Sequence, residues 1–277
     1  MIIDFRVTLP QKDRVATRPA YMRRYADIFD LERVSYTSEE LLDGLRGAGI
    51  TRAVLQAEWS SGDYRAMNDA VVNLVKEHPD VFIGFGAVNP ADGLDAVDEL
   101  RRAVETLGLK GLNLQPFAAG LHANHKLCYP LYLKCLEYGI PVTIHTGINY
   151  SFDRSIDFGR PIYVDEVACH FPGLAIVLNH GGWPWVPEAV AIARKHRSVY
   201  LEIGGIAPKY IGVAGAGWEV FLQFANSLLQ DRILFATDSM IPFKRAVEEV
   251  QALPLMPEAK QKLLYQNACR LLRIEHA

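Results

Sequence analysis

Eight short runs rich in β-branched or aromatic residues recur along the chain, and they limit its fold more than any other feature. They begin near Ile2, Arg52, Val81, Lys110, Pro141, Leu174, Ser198 and Arg232. Most are continuously apolar, as RAVLQA, VFIGFGAV and LAIVLNH show, which is the texture of parallel strands covered on both faces. Between them, apolar residues recur every three or four positions, as a helix face requires. Ser38–Ala48 carries Leu41, Leu42 and Leu45, and Leu94–Leu107 carries Leu94, Val97, Leu100 and Val104. Ser38, followed by two glutamates, reads as the capped start of one helix and Asp92 as the start of the next. Strand and helix alternating at roughly 30-residue spacing predict a single-domain α/β protein, a distorted (β/α)8 TIM barrel over residues 1–277. An open doubly wound sheet is the runner-up, weakened because no GxGxxG turn follows the first strand.

Composition excludes several other classes. A chain of 277 residues that is 50% hydrophobic suits one barrel, and a net charge of −3 gives no electrostatic reason to expect nucleic acid or an anionic membrane as partner. No apolar run approaches the roughly 20 residues that span a bilayer, and MIIDFRV lacks the basic and apolar regions of a signal peptide. The cysteines (Cys128, Cys135, Cys169, Cys269) form no CxxC pair, so they read as reduced, mostly buried thiols suited to the cytoplasm. The longest interruption, Leu9–Thr37, is basic at Arg14, Arg18, Arg23 and Arg24 and aromatic at Tyr21, Tyr25 and Phe29. In a barrel it would lie over the catalytic face, as a lid or a homo-oligomer contact; a solvated loop with a short helix fits equally well.

Chemistry is expected where strands end, because barrel enzymes carry their active sites at the carboxyl edge. The stretch GIPVTIHTGIN places His145 at the end of the fifth strand, before a sharp turn at Gly147. His180, in LNHGGWPW, ends the sixth, and Asp238, in FATDSM, ends the eighth. Two imidazoles and a carboxylate on one mouth suit a divalent metal or a general acid–base set. Each alone also fits an ordinary structural role, and it is their convergence that favours function. Gln115, Glu58 and Glu202 could line the same mouth or serve as strand-end polar residues. Lys110 belongs at the amino-terminal face. His122 and His125 have a ligand-like spacing but read better as surface loop, and Trp183 and Trp185 offer either an apolar wall or packing for the next helix.

Several motifs together resemble one family. MIIDFR, GLKGLNLQP, PVTIHTG, FPGLAIVLNHGGWPW, FATDS and YQNACRLLRI are similar, in order and over nearly the whole chain, to the amidohydrolase-related branch of the amidohydrolase superfamily. The resemblance implies a hydrolase or a non-oxidative decarboxylase (a carboxy-lyase) acting on a small carboxylated molecule. It implies that His145 and Asp238 bind a divalent metal, zinc or manganese, and that His180 polarises the substrate or adds a third ligand.

One departure qualifies this. The family's first strand carries Asp-x-His-x-His, or Glu in the first His place, whereas this chain reads Asp4-Phe5-Arg6-Val7-Thr8. Arginine stays protonated and cannot ligate a cation, so any metal is expected to be weak or partial. Strict alternation would put Asp4, Arg6 and Thr8 on one inward face. Closure of the barrel would then bring Arg6 to Asp238, where its guanidinium could hold a substrate carboxylate by paired hydrogen bonds. Two further readings follow from the same departure: a metal-independent lactonase-type hydrolase, with Asp238 activating water and His180 or Arg6 holding the oxyanion, and a non-catalytic small-molecule binding protein on the same scaffold.

Overall fold

The computed structural model describes residues 1–10, 36–58 and 63–274. Its strands are β1 (Ile3–Thr8), β2 (Arg52–Gln56), β3 (Phe82–Ala87), β4 (Leu112–Leu114), β5 (Val142–Ile144), β6 (Ile176–Leu178), β7 (Val199–Glu202) and β8 (Ile233–Leu234). They lie in sequence order, each parallel to the next. Phe5 N donates to Phe235 O at 2.8 Å and Asp238 N to Arg6 O at 2.9 Å, which joins the eighth strand to the first. The expected barrel is the observed one, and the doubly wound alternative falls. The expectation of a lid or oligomer contact within Leu9–Thr37 falls almost wholly on residues outside those described. No helix among the described residues is long and apolar enough to cross a membrane.

Longer helices pack around the strands: α1 (Ser38–Gly47), α2 (Tyr64–Glu77), α3 (Leu94–Arg101), α4 (Tyr129–Tyr138), α5 (Ile162–His170), α6 (Val186–Lys195), α7 (Glu219–Ala225) and α8 (Phe243–Ala252). Two helix starts differ from the sequence reading. The N-cap of α1 is Thr37, whose hydroxyl accepts from Glu40 N while the Glu40 carboxylate accepts from Thr37 N, a capping box that Ser38 is one residue too late to make. The N-cap of α3 is Gly93, with Asp92 one residue outside, and the helix passes into a π turn at Arg102–Thr106.

Strand alternation sorts the core into two layers. Leu55, Phe82, Ile176, Leu178, Leu201 and Ile233 face the helices, while Ile3, Phe5, Val54, Ile83, Phe85, Val177 and Leu234 fill the barrel. The C-terminal segment closes the amino end, where Ala268 and Cys269 join the inner layer. Two residues further along the same inward rows the side chains turn polar yet stay buried: Gln56 after Val54, Asn179 after Val177 and Glu202 after Tyr200. This gradient puts a polar floor beneath the carboxyl edge.

Strict alternation fails at one place, and it decides the site. The β1–β2 register slips by one residue between Asp4 and Val7, a bulge. Phe5 therefore packs in the inner layer while Arg6 also points inward, to Gln56 and Asn113. Asp4 instead faces the seam with the eighth strand. Its Oδ1 accepts from Arg6 N at 3.1 Å and Thr237 N at 3.0 Å, and its Oδ2 accepts from Thr237 Oγ1 at 2.6 Å. Burial pushes its carboxyl up to about 7, against the pull of these bonds. Asp4→Ala would strand three buried donors, at about 1–3 kcal/mol each. Urea unfolding should show a loss of roughly 3 kcal/mol or more, whereas Asp4→Asn, which keeps Oδ1, should lose about 1. Equal midpoints for Asp4→Ala and the parent would show that Asp4 does not hold the seam.

Candidate active site at the barrel mouth

Arg6 is the centre of the mouth and is only 1% exposed. Its Nε donates to Asp238 Oδ1 at 2.6 Å and its Nη1 to Gln56 Oε1 at 2.8 Å and Asn113 Oδ1 at 3.3 Å, while Nη2 reaches Glu58 Oε1 at 3.4 Å. The two amides cannot rotate away. Gln56 Nε2 donates to Phe5 O and Asn113 Nδ2 to Ala57 O, both at 2.8 Å, so each turns its oxygen to the guanidinium. The single Thr143 hydroxyl proton is shared between the two amide oxygens, with Oγ1 at 3.2 and 3.1 Å from them. Burial opposes the cation, but the carboxylates of Asp238, Glu202 and Glu58 outweigh it and raise its pKa.

The three residues expected at the mouth do meet there. His180 Nδ1 donates to Gly204 O at 2.8 Å, which leaves Nε2 as acceptor for His145 Nδ1 at 3.2 Å. The two rings lie 4.8 Å apart edge to face. Gly205, at φ +75°, fits between the rest: a Cβ there would sit 3.0 Å from His180 Nδ1 and 3.2 Å from Asp238 Oδ2. Glu202 anchors the arrangement from below, accepting from His180 N at 2.8 Å and Gly204 N at 3.1 Å. Burial raises the pKa of Glu202, and its Oε2 has no partner among the described residues. His180 (φ 59°) and Asp238 (φ 59°) both hold left-handed backbone, a conformation that costs about 1–3 kcal/mol in side-chain-bearing residues and collects at functional sites.

Burial, then the neighbouring His180 and Arg6, drive the His145 pKa well below its ordinary 6.5, so the ring is neutral. Its Nε2 is buried with no partner among the described residues. Phe117 lies against it, with centroids 4.3 Å apart.

The other candidates separate. Gln115 Nε2 reaches Glu58 Oε1 at 3.5 Å, at the rim. His122 binds Asp157 at 2.9 Å and stacks on Tyr163, while His125 caps a helical turn through Leu127 N, so this pair serves loop structure. Lys110 is exposed, and Trp183 packs against the outer core. Gln56, Asn113, Thr143 and Phe117 were not singled out from sequence. For the first three the signal existed, as polar residues on inward positions of otherwise apolar strands.

A family model described as Amidohydrolase matches residues 3–274, so the chain belongs to the amidohydrolase family. A 2-keto-4-carboxy-3-hexenedioate hydratase of Sphingobium is 30% identical over 137 residues, covering 43% of this chain and 40% of that protein. A gamma-resorcylate decarboxylase of Rhodococcus jostii is 23% identical over 272 residues, covering 82% of each. The chain thus spans well under half of the hydratase but most of the decarboxylase. Among solved structures, an uncharacterised TIM-barrel protein of Bordetella bronchiseptica is 31% identical, with TM-score 0.82 and 98% of both chains covered. A 5-carboxyvanillate decarboxylase of Novosphingobium aromaticivorans, complexed with manganese, shares the fold at 16% identity, TM-score 0.72 and coverage of 99% and 96%.

The residues at this mouth do not fit a divalent ion. Asp238 Oδ1 faces a guanidinium at 2.6 Å. The guanidinium stays protonated, has no lone pair to give a metal and already fills the space beside Asp238, so a divalent ion would have to displace it. Among the described residues, the one group of three ligating side chains with donor atoms within 4.8 Å of one another is Asp165, Cys169 and His196, on the outer helices.

The neutral state of His145 can be checked by pH. An unfolded histidine takes up a proton near pH 6.5, but the folded ring does so only well below that. Beneath about pH 6.5 the unfolded chain therefore binds the extra proton, and His145 removes stability as pH falls, by up to about 1.4 kcal/mol per unit. Asp4 tilts the opposite way between its ordinary 3.8 and about 7, so the difference between variants is the readout. The stability of the parent minus that of His145→Gln should shrink as pH drops from 7 to 5. A constant difference would mean that the folded ring titrates normally.

Proposed function

We propose that this member of the amidohydrolase family is a non-oxidative decarboxylase of a small, aromatic carboxylated compound, working at the barrel mouth. The observation that carries the reading is the meeting of Asp238, His180 and neutral His145 above a buried guanidinium. Similarity to a gamma-resorcylate decarboxylase over 82% of both chains supports the reaction class. In such a reaction the bond between the carboxyl carbon and the ring breaks, carbon dioxide leaves, and the ring carbon takes a proton.

The chain's own groups match those tasks. Arg6 Nη2, whose contact to Glu58 is the long one at 3.4 Å, is the edge that receives the substrate carboxylate. Asp238 has Oδ1 tied to Arg6 and Oδ2 on the side of Gly205 and His180. It takes a proton from solvent or substrate and returns it to the ring carbon. His180, fixed by Gly204 O, exchanges protons through Nε2, with His145 as its partner. The weak or partial zinc or manganese expected from sequence on His145, Asp238 and His180 has no part in this reading, and no step is assigned to it.

Incubation with 2,6-dihydroxybenzoate, 5-carboxyvanillate and related acids should release carbon dioxide in step with the decarboxylated product. Asp238→Asn should lower kcat by about 100-fold or more, and His180→Gln comparably. No carbon dioxide from any acid, together with ring opening of lactones, would replace this reading with metal-independent hydrolysis. Saturable binding without turnover of either class would leave a binding protein.

A further inference from the structure

The carboxylates of Asp238 and Glu58 lie 2.6 and 3.4 Å from one guanidinium that is almost wholly out of solvent. A buried charge persists only where it is paired and hydrogen-bonded, and here the structure is arranged around Arg6 on every side. Two amide oxygens locked from behind by backbone carbonyls accept from one nitrogen, and a carboxylate accepts from another. We infer that Arg6 is the resident cation of the barrel mouth, and that the site neither holds nor needs a divalent metal. The inference rests on the site proposed above and is independent of which reaction occurs there.

A guanidinium and a metal ion share charge and differ in nearly everything else. Arg6 can hold Asp238 in place and offset negative charge that develops on a bound anion. It has no empty orbital to accept a lone pair and cannot convert a bound water to hydroxide, as a metal does. A mouth built this way suits reactions that need an anion positioned and its charge balanced, and it disfavours those that need a metal-bound nucleophile. The same geometry says what would reverse it. An imidazole at position 6 would remove the permanent charge and place a nitrogen donor near Asp238, while His145 already holds a buried Nε2 with no partner among the described residues.

The test is metal binding in a Cys169→Ser background, which removes the thiol of the outer Asp165–Cys169–His196 group so that metal there is not mistaken for metal at the mouth. Manganese is titrated by electron paramagnetic resonance and zinc by competition with a chromophoric chelator. Cys169→Ser alone should show no stoichiometric site, and neither chelator nor manganese should move its Tm. Arg6→His/Cys169→Ser should bind at least ten-fold tighter, and Asp238→Asn should abolish the gain. Should the histidine variant fail to fold, the Cys169→Ser arm decides alone: one tightly held equivalent that disappears in Asp238→Asn would overturn the inference, and its absence supports it. A folded histidine variant that gains no affinity would also overturn it. Carbon dioxide release plays no part in these readouts, so failure of the proposed reaction stays separate.

Discussion

The mouth of this barrel is organised by one charge placed almost wholly out of solvent. Desolvating a guanidinium costs several kcal/mol, and an ion pair offsets that only with close geometry and every remaining donor engaged. Arg6 comes close to the condition with Asp238 at 2.6 Å and with Gln56 and Asn113 behind, and only its Nη2 edge is held loosely, by Glu58 at 3.4 Å. Each partner is held by another strand of the barrel, so the charge links β1, β2, β4 and the end of the eighth strand. Removing one partner would leave the others facing a less compensated cation, so the account predicts that this cluster responds as a unit.

From that constraint the local backbone follows. The bulge in β1 lets consecutive residues serve different purposes, Phe5 the apolar layer and Arg6 the polar one. Asp4 then binds the amide of Arg6 and the seam residue Thr237 together, so barrel closure and site geometry share one carboxylate. On the opposite side, Glu202 grips the amides of His180 and Gly204, and the carbonyl of Gly204 fixes the tautomer of His180. His180 holds its left-handed backbone within these bonds, and Asp238, also left-handed, donates its amide to Arg6 O. Gly147, at φ +103°, permits a similarly close approach: a Cβ there would lie 2.6 Å from Trp183 O.

The barrel was legible because its strands are continuous apolar runs at a regular spacing, a pattern few other folds produce. His145, His180 and Asp238 were legible because each ends such a run, and the pairing of Arg6 with Asp238 followed from closure of the barrel. The bulge was not legible. It depends on how β1 registers against β2, which no local pattern in IDFRVT reveals. The amide clamp showed in sequence only as polar residues in apolar runs: Gln56 ends the five-residue β2, and β4, at Leu112–Leu114, is too short for period-two alternation to say that Asn113 points inward. The cap of α1 lay one residue from the expected position, because Thr37 and Ser38 are both good cap formers and only the backbone geometry selects between them, while α3 starts at Gly93 with no side-chain cap bond at all.

A double-mutant cycle on Arg6 and Asp238 tests the central claim most directly. Unfolding free energies of the parent, Arg6→Met, Asp238→Asn and the double variant give the coupling between the two side chains, free of each residue's other contacts. A buried pair at 2.6 Å predicts a coupling above about 2 kcal/mol, with the double variant far less damaged than the sum of the single ones. A coupling below about 0.5 kcal/mol, the size of additivity error, would mean that the two residues are neighbours without dependence and that the mouth is not organised by this charge.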